Sequence, residues 1–216
     1  MKIQGKVALV TGSAQGIGRG IALRLAEDGA DICLVDQKAD KLSRVAAEIE
    51  ARGRKATTVV ADVTDRAQVF AAVDHAEKTL GGFDIMVNNA GIAQVEALCD
   101  VTKEQLDRIF AINVYGVLWG IQAAAAKFKA RNQRGKIINA SSIAGHDSYA
   151  MIGVYSATKF AVRALTQAAS WPLPASMSTP TARALWARTC GLRSTQALQR
   201  SRAQLPVQPT SSTARA

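Results

Sequence analysis

The residues best suited to do chemistry are a serine at position 142 and a tyrosine–lysine pair at 155 and 159. Tyr155 and Lys159 are four apart, so on a helix their side chains share one face. A free phenol loses its proton only near pH ~10. A neighbouring ammonium favours the phenolate, and the two together make an acid–base group. Ser142, thirteen residues before the tyrosine, is placed to hydrogen-bond the substrate oxygen that Tyr155 protonates. A bare Tyr-x-x-x-Lys means little, because any surface helix can carry one. Its weight depends on what the preceding residues build around it.

Those residues read as alternating strands and helices. Val7–Val10 is a short apolar run that fits a buried parallel strand. It leads into Thr11–Gly18, TGSAQGIG, and then an amphipathic helix carrying Ile21, Ala22, Leu25 and Ala26 and ending before Gly29. Strand, glycine turn, helix is the context in which a backbone can approach a pyrophosphate, met by the free amides and positive end of the helix. A plain tight turn is the competing reading. DICLV (31–35) forms a second strand with Asp36 at its end, where a carboxylate binds both adenosine ribose hydroxyls and repels a 2′-phosphate; it could instead cap a loop. A helix over 40–52 follows, with Leu42, Val45, Ala46 and Ile49 inward, then a strand over 56–61. Asp62 comes next, placed to accept from an adenine amino group. Thr64 is expected to N-cap a helix running to Leu80 with Val69, Phe70 and Val73 inward. Residues 83–87 form a fourth strand that enters Asn88-Asn89-Ala90-Gly91.

Successive βα units with helical crossovers specify a parallel sheet covered on both faces, a doubly wound α/β Rossmann fold of three layers. Ligands sit at the carboxyl ends of such strands, and Gly12, Asp36, Asp62 and Asn88 all fall there. Thr102-Lys-Glu-Gln105 is a capping box. It opens a long helix in which Asn113 is a polar residue in an apolar stretch, either a hydrogen-bonded kink beside Gly116 or the holder of a water in a proton relay. Residues 136–140, KIINA, form a fifth strand ended by Ser141-Ser142, and Tyr155 opens the last helix.

The bulk composition fits one globular body plus a tail. At 48% hydrophobic the chain can bury a core. No signal peptide and no run of 18 apolar residues is present, and Cys33, Cys99 and Cys190 lack metal-ligand spacing, so a cytoplasmic protein with reduced thiols and no metal is expected. The net charge of +10 suggests nucleic acid, but six arginines and no Asp, Glu or Lys lie in 170–216. Without those six, 21 basic residues face 17 acidic ones, an ordinary balance with no basic stripe. Neither a nucleic acid nor a membrane is an expected partner.

Taken jointly, TGxxxGIG at 11–18, NNAG at 88–91, Asn113, Ser142 and Tyr155-x-x-x-Lys159 resemble the classical short-chain dehydrogenases/reductases over residues 1 to about 169. The resemblance implies an NAD-dependent enzyme moving a hydride between nicotinamide and a small ketone or secondary alcohol. Tyr155 would be the general acid–base. Lys159 would hold the nicotinamide ribose and favour ionisation of Tyr155, Ser142 would orient the substrate carbonyl, and Asn113 would complete the relay. The cofactor-binding set implied is Gly12, Gln15, Gly16, Ile17, Gly18, Asp36, Asp62, Val63, Asn89, Ala90 and Gly91, with Tyr155 and Lys159 at the nicotinamide end and Asn88 as support. Ile143 and Tyr149 would line the substrate pocket. The wording GVLWGIQAA (116–124) and KIINASSIAGH (136–146) is most similar to acetoin/diacetyl reductases, also called 2,3-butanediol dehydrogenases; polyol dehydrogenases of the sorbitol type are the nearest alternative. Members of the family form homotetramers through two long helices, here 103–130 and 155–169, with Trp119 suited to the contact.

From residue 170 the text changes. All five prolines lie within 172–209, apolar periodicity is lost, and the composition is that of a disordered basic tail. The family would continue instead with a sixth strand, a Pro-Gly turn, a covering helix and a seventh strand. Reading 175–191 one base out of frame, with permitted codon choices, yields GINVNAYCPGIVGTDMW, the expected continuation. The expectation is a catalytic domain over 1–169 that lacks the last strands, followed by a frameshifted, non-native segment over 170–216. The chain should then bind cofactor weakly, aggregate readily and turn over slowly. The nucleotide sequence around codon 170 tests this: if it cannot encode that motif one base out of frame, the reading fails.

Overall fold

The computed structural model describes residues 3–170. The expectations for 171–216, including the out-of-frame reading and the tail, lie outside the described residues. Among the described residues, five strands form one parallel sheet in the order β3-β2-β1-β4-β5. They are β1 (Val7–Thr11), β2 (Asp31–Asp36), β3 (Ala56–Val60), β4 (Ile85–Asn88) and β5 (Lys136–Asn139), joined by α1 (Gly16–Glu27), α2 (Ala39–Glu50), α3 (Arg66–Leu80), α4 (Lys103–Phe110) and α5 (Gly116–Ala130); α6 (Gly153–Ser170) follows β5.

The sheet is covered on both faces because its central strands are apolar on both. Ala8, Val10, Ile32, Leu34, Ile85 and Val87 pack against Ala22 and Leu23 of α1 and Leu42, Val45 and Ile49 of α2. Leu9, Cys33, Val35 and Met86 face the other way, onto Val69, Ala72, Val73 and Ala76 of α3 and Ala123, Ala124 and Phe128 of α5. There the Phe83 and Phe128 rings stack with centroids 5.3 Å apart. α6 lies beside α5, with Val162 and Leu165 against Val117, Ile121 and Ile137. This is the doubly wound, three-layer architecture read from the βα alternation.

Several local expectations are corrected. The N-cap of α3 is Asp65 rather than Thr64; its carboxylate accepts from the amides of Ala67 and Gln68, whereas the Thr64 amide is turned back to Asp62 Oδ1 at 2.8 Å. α6 begins at Gly153, two residues before Tyr155. The fourth strand starts at Ile85 rather than Phe83. Phe70 is only partly buried, and the Arg66 guanidinium lies over its ring at 4.1 Å. The capping box at Thr102–Gln105 forms as expected, with both reciprocal hydrogen bonds.

The helical stretch Lys103–Ala130 is long and apolar enough to cross a membrane by length and composition. Its apolar side is used on the sheet, where Val117, Ala123, Ala124 and Phe128 are buried.

Of the two described cysteines, Cys33 is buried and Cys99 exposed. Burial pushes the Cys33 thiol up to about 12, and the thiolate is the reactive form. Alkylation followed by peptide mass spectrometry should therefore modify Cys99 readily in the native protein and Cys33 only after denaturation. Equal native reactivity of both would contradict the packing of β2.

Candidate active site

The glycine turn is shaped by steric exclusion. Gly12 has φ +65°, and a Cβ there would lie 2.8 Å from Ala90 Cα; a Cβ on Gly18 would lie 2.1 Å from the Gly12 carbonyl oxygen. Thr11 stitches the turn to the end of β4: its hydroxyl accepts from the amides of Asn89 and Ala90 at 3.0 and 3.1 Å. Asn89 Nδ2 donates to the carbonyls of Thr11 and Gly12 at 3.0 and 3.3 Å. The N-cap of α1, Gln15, makes no side-chain capping bond. The first amides of α1 are thus left to another acceptor, at the positive end of the helix.

Asp36 closes the β2 side. Its Oδ2 accepts from the Ala14 amide at 3.1 Å and its Oδ1 from the Lys38 amide at 3.2 Å. These two bonds leave lone pairs for further donors, since a carboxylate has about four acceptor sites. Gln15 Oε1 accepts from Lys41 Nζ at 2.7 Å and from Lys38 Nζ at 3.4 Å.

A cavity of about 430 Å³ opens along this carboxyl edge. It is lined by Gly12, Gln15, Gly16, Ile17, Gly18, Asp36, Asp62, Val63, Asn89, Ala90 and Gly91, and also by Gln37, Lys38, Ala61, Ile92 and Ile112. The first eleven are the residues singled out from the sequence. Of the other five, Gln37, Lys38 and Ala61 adjoin Asp36 and Asp62 in sequence and could have been read as neighbours. Ile92 and Ile112 carry no signal of their own. Ile17 stands 77% exposed at the rim.

Asn88 ends β4 at the carboxyl edge and does not line the cavity. It is buried and its side chain turns into the interior, donating to Asn139 Oδ1 at 2.8 Å. A Cβ on Gly120 of α5 would lie 1.8 Å from its Oδ1.

The acid–base residues lie beyond the Gly91 end of the cavity and do not line it. Asn113 is fully buried in a π-helical turn, Ala111–Tyr115, between α4 and α5. Its amide clamps Ile92 from both sides, accepting from the Ile92 amide and donating to the Ile92 carbonyl, each at 2.9 Å. It also donates to Thr158 Oγ1 at 3.1 Å. Lys159 is 5% exposed and donates to the Ala140 carbonyl at 3.0 Å. Its Nζ is 5.6 Å from the centroid of the Tyr155 ring. A Cβ on Gly91 would lie 3.1 Å from Asn113 Oδ1 and 3.7 Å from Lys159 Nζ, so a larger residue would crowd this corner. Ser142 Oγ accepts from the Ala144 amide at 3.1 Å, which leaves the hydroxyl proton free to donate. Ile143 is 74% exposed and Tyr149 about half exposed; neither lines the cavity.

Burial lowers the pKa of Lys159 below its ordinary value of 10.5, and the sign of the linkage follows. Below the depressed value the folded and unfolded chains both hold the proton, and the burial penalty acts in full. Between that value and 10.5 the unfolded chain binds more protons, so stability rises with pH. Lys159→Met removes the buried charge but also the bond to the Ala140 carbonyl, so the pH trend and not the absolute stability is diagnostic. Urea midpoints measured as pH is raised towards 10.5 should show the unsubstituted chain gaining stability relative to the variant; a difference independent of pH would mean that the ammonium carries no penalty.

The comparisons with known proteins agree with this geometry. The model of the short chain dehydrogenase family matches residues 6–176, and the chain belongs to that family. It is 52% identical over 170 residues to an L-2,3-butanediol dehydrogenase of Corynebacterium glutamicum, covering 78% of this chain and 66% of that protein. It is 46% identical over 165 residues to a diacetyl reductase, (S)-acetoin forming, of Staphylococcus epidermidis, covering 76% and 64%. The matches thus span just under two thirds of these relatives. Among solved structures, an NAD+-bound xylitol dehydrogenase superposes with a TM-score of 0.76 at 34% identity, covering 79% of this chain and 65% of that one. A short chain dehydrogenase of Burkholderia cenocepacia in complex with NADP superposes with a TM-score of 0.71 at 39% identity, covering 78% and 68%.

Proposed function

We propose that this chain carries the site of an NAD-dependent oxidoreductase that interconverts a small ketone and its secondary alcohol, with diacetyl and acetoin as the substrates of choice. The observation that supports this most is the shared edge: a glycine cradle with uncapped helix amides and a carboxylate at Asp36, running up to Tyr155, Lys159 and Asn113 at Gly91. The cradle fits a dinucleotide. Gly12 and Gly18 admit no Cβ, α1 offers free amides to a pyrophosphate, and Asp36 and Asp62 face the cavity as acceptors for ribose and adenine donors. Asp36 at the ribose position favours NAD over a 2′-phosphorylated cofactor. When bound, the nicotinamide supplies or accepts the hydride. Tyr155 gives the substrate oxygen its proton, or removes it in the other direction. Ser142 donates to the same oxygen and fixes its approach. Lys159 holds positive charge beside the phenol, and Asn113 keeps the Ile92 backbone and α6 in place around it.

The butanediol and diacetyl relatives support the choice of substrate, and the xylitol dehydrogenase keeps a polyol as the alternative. We place a homotetramer contact on α4–α5 and α6, where Tyr115 is half exposed and its ring lies 6.4 Å from that of Trp119. We take the compartment to be the cytoplasm. Following the nicotinamide absorbance of NADH with diacetyl, acetoin or sorbitol-type substrates tests the proposal. Consumption with diacetyl supports it, and NADH binding without turnover of any of them would overturn it. That second outcome, a nucleotide-binding chain with little turnover, is the alternative reading, and its support is the departure of residues 170–216 from the family's pattern.

A further inference from the structure

α6 is tied to the end of β5 by more than the residues assigned to chemistry. Along its length Thr158 accepts from Asn113 at 3.1 Å, Lys159 donates to the Ala140 carbonyl at 3.0 Å, and Arg163 donates to the Gly145 carbonyl. Seven residues beyond Lys159, on the same helix face, Thr166 Oγ1 accepts from Asn139 Nδ2 at 2.9 Å. The direction of that last bond is fixed. The one hydroxyl proton of Thr166 is committed to the Val162 carbonyl at 2.6 Å, so Thr166 offers Asn139 only lone pairs and Asn139 must present its NH₂ group. The Asn139 oxygen then faces Asn88 Nδ2 at 2.8 Å. This polarity leaves Asn88 Oδ1 buried without a partner among the described residues.

Asn139 and Ala140 are consecutive. One strand end therefore holds α6 at two points about 10 Å apart along the helix: the Ala140 carbonyl on Lys159, and the Asn139 amide on Thr166. A single ammonium on a carbonyl can pivot, whereas two points spaced along the axis resist both tilt and slide. We propose that Thr166, through Asn139, is a positioning residue that fixes α6 along β5 and keeps the Lys159 ammonium in its buried seat beside Gly91. The inference rests on the assignment of Lys159 to the active site, but its test does not require turnover.

Trace acylation of the full chain, followed by peptide mass spectrometry, reports how often the Lys159 amine is exposed. Lys127, held by Asp74 and Glu77 at 2.7 and 2.6 Å on α5, serves as reference. In Thr166→Val, which keeps the shape and loses the hydroxyl, the ratio of Lys159 to Lys127 labelling should rise about five- to tenfold, the change expected when one net hydrogen bond no longer holds a local closed state. Thr166→Ser should restore the original ratio. An unchanged ratio in the valine variant, an equal rise at both lysines, or no rescue by serine would each overturn the proposal. Should Thr166→Val not yield folded protein, Thr166→Cys, whose thiol accepts poorly, takes its place with the same expected ratio. If the chain shows no turnover of diacetyl, the proposed function fails while this measurement still stands.

Discussion

Tyr155→Phe is expected to lower the rate of diacetyl reduction by NADH about 10²–10⁴-fold, the range for losing a positioned general acid, while NADH affinity stays unchanged. The two halves of that expectation come from different parts of the molecule. The phenol oxygen is the only atom removed, and the aromatic ring that lies beside Lys159 remains to fill its place. The cofactor cradle is lined by other residues, so binding has no reason to weaken. Steady-state rates with fluorescence titration of NADH separate the two. A variant that keeps its rate would show that Tyr155 is not the acid. A variant that loses NADH binding as well would show that the phenol is structural. Ser142→Ala offers a graded comparison: it removes one hydrogen bond to the substrate oxygen, which corresponds to about a tenfold loss, well short of that expected for Tyr155.

What could be read in the sequence depended on how local its physics is. The strand–turn–helix rhythm is local, and the fold follows from it. Asp36, Asp62 and the glycines could be placed because each follows directly on a strand, and in a parallel sheet strand ends share one edge. Residues held by distant partners escaped. Asn113 looked like either a kink or a relay; it sits in a π-helical turn while clamping the backbone of Ile92, 21 residues earlier. Periodicity along α4–α5 carries no information about Ile92. The Asn88–Asn89 pair shows strand parity at work. Successive side chains at a strand end point to opposite sides, so only one of the two can face the ligand edge, and Asn88 faces Asn139 instead. Thr166 gave no signal, because a threonine on a helix is unremarkable until an asparagine is found opposite it. The Thr64–Asp65 choice turned on chemistry: two adjacent residues could cap α3, and the carboxylate, accepting from two amides, is the stronger acceptor.

The glycine turn allows the separation of two reasons for glycine that are usually confounded. Gly16 has φ +57°, yet nothing lies within 4 Å of where its Cβ would be. Gly18 has no such backbone requirement, but its Cβ would fall 2.1 Å from the Gly12 oxygen and 2.5 Å from Asn89 Nδ2. Gly16→Ala should therefore cost only the left-handed backbone penalty, about 1–2 kcal/mol, and Gly16→Asn less, because asparagine tolerates that conformation. Gly18→Ala must push α1 away from the turn. Overpacking of this kind costs about 1–3 kcal/mol, and the displacement also breaks the Asn89 bonds that hold the end of β4 to the cradle. NADH affinity should then fall about 100-fold, equivalent to ~2.7 kcal/mol of binding free energy. Denaturant unfolding and NADH titration of the three variants measure both quantities. If Gly18→Ala binds NADH as the unsubstituted chain does, the turn is not the phosphate cradle and the cofactor lies elsewhere. If Gly16→Ala loses as much affinity as Gly18→Ala, backbone freedom rather than close approach governs the site.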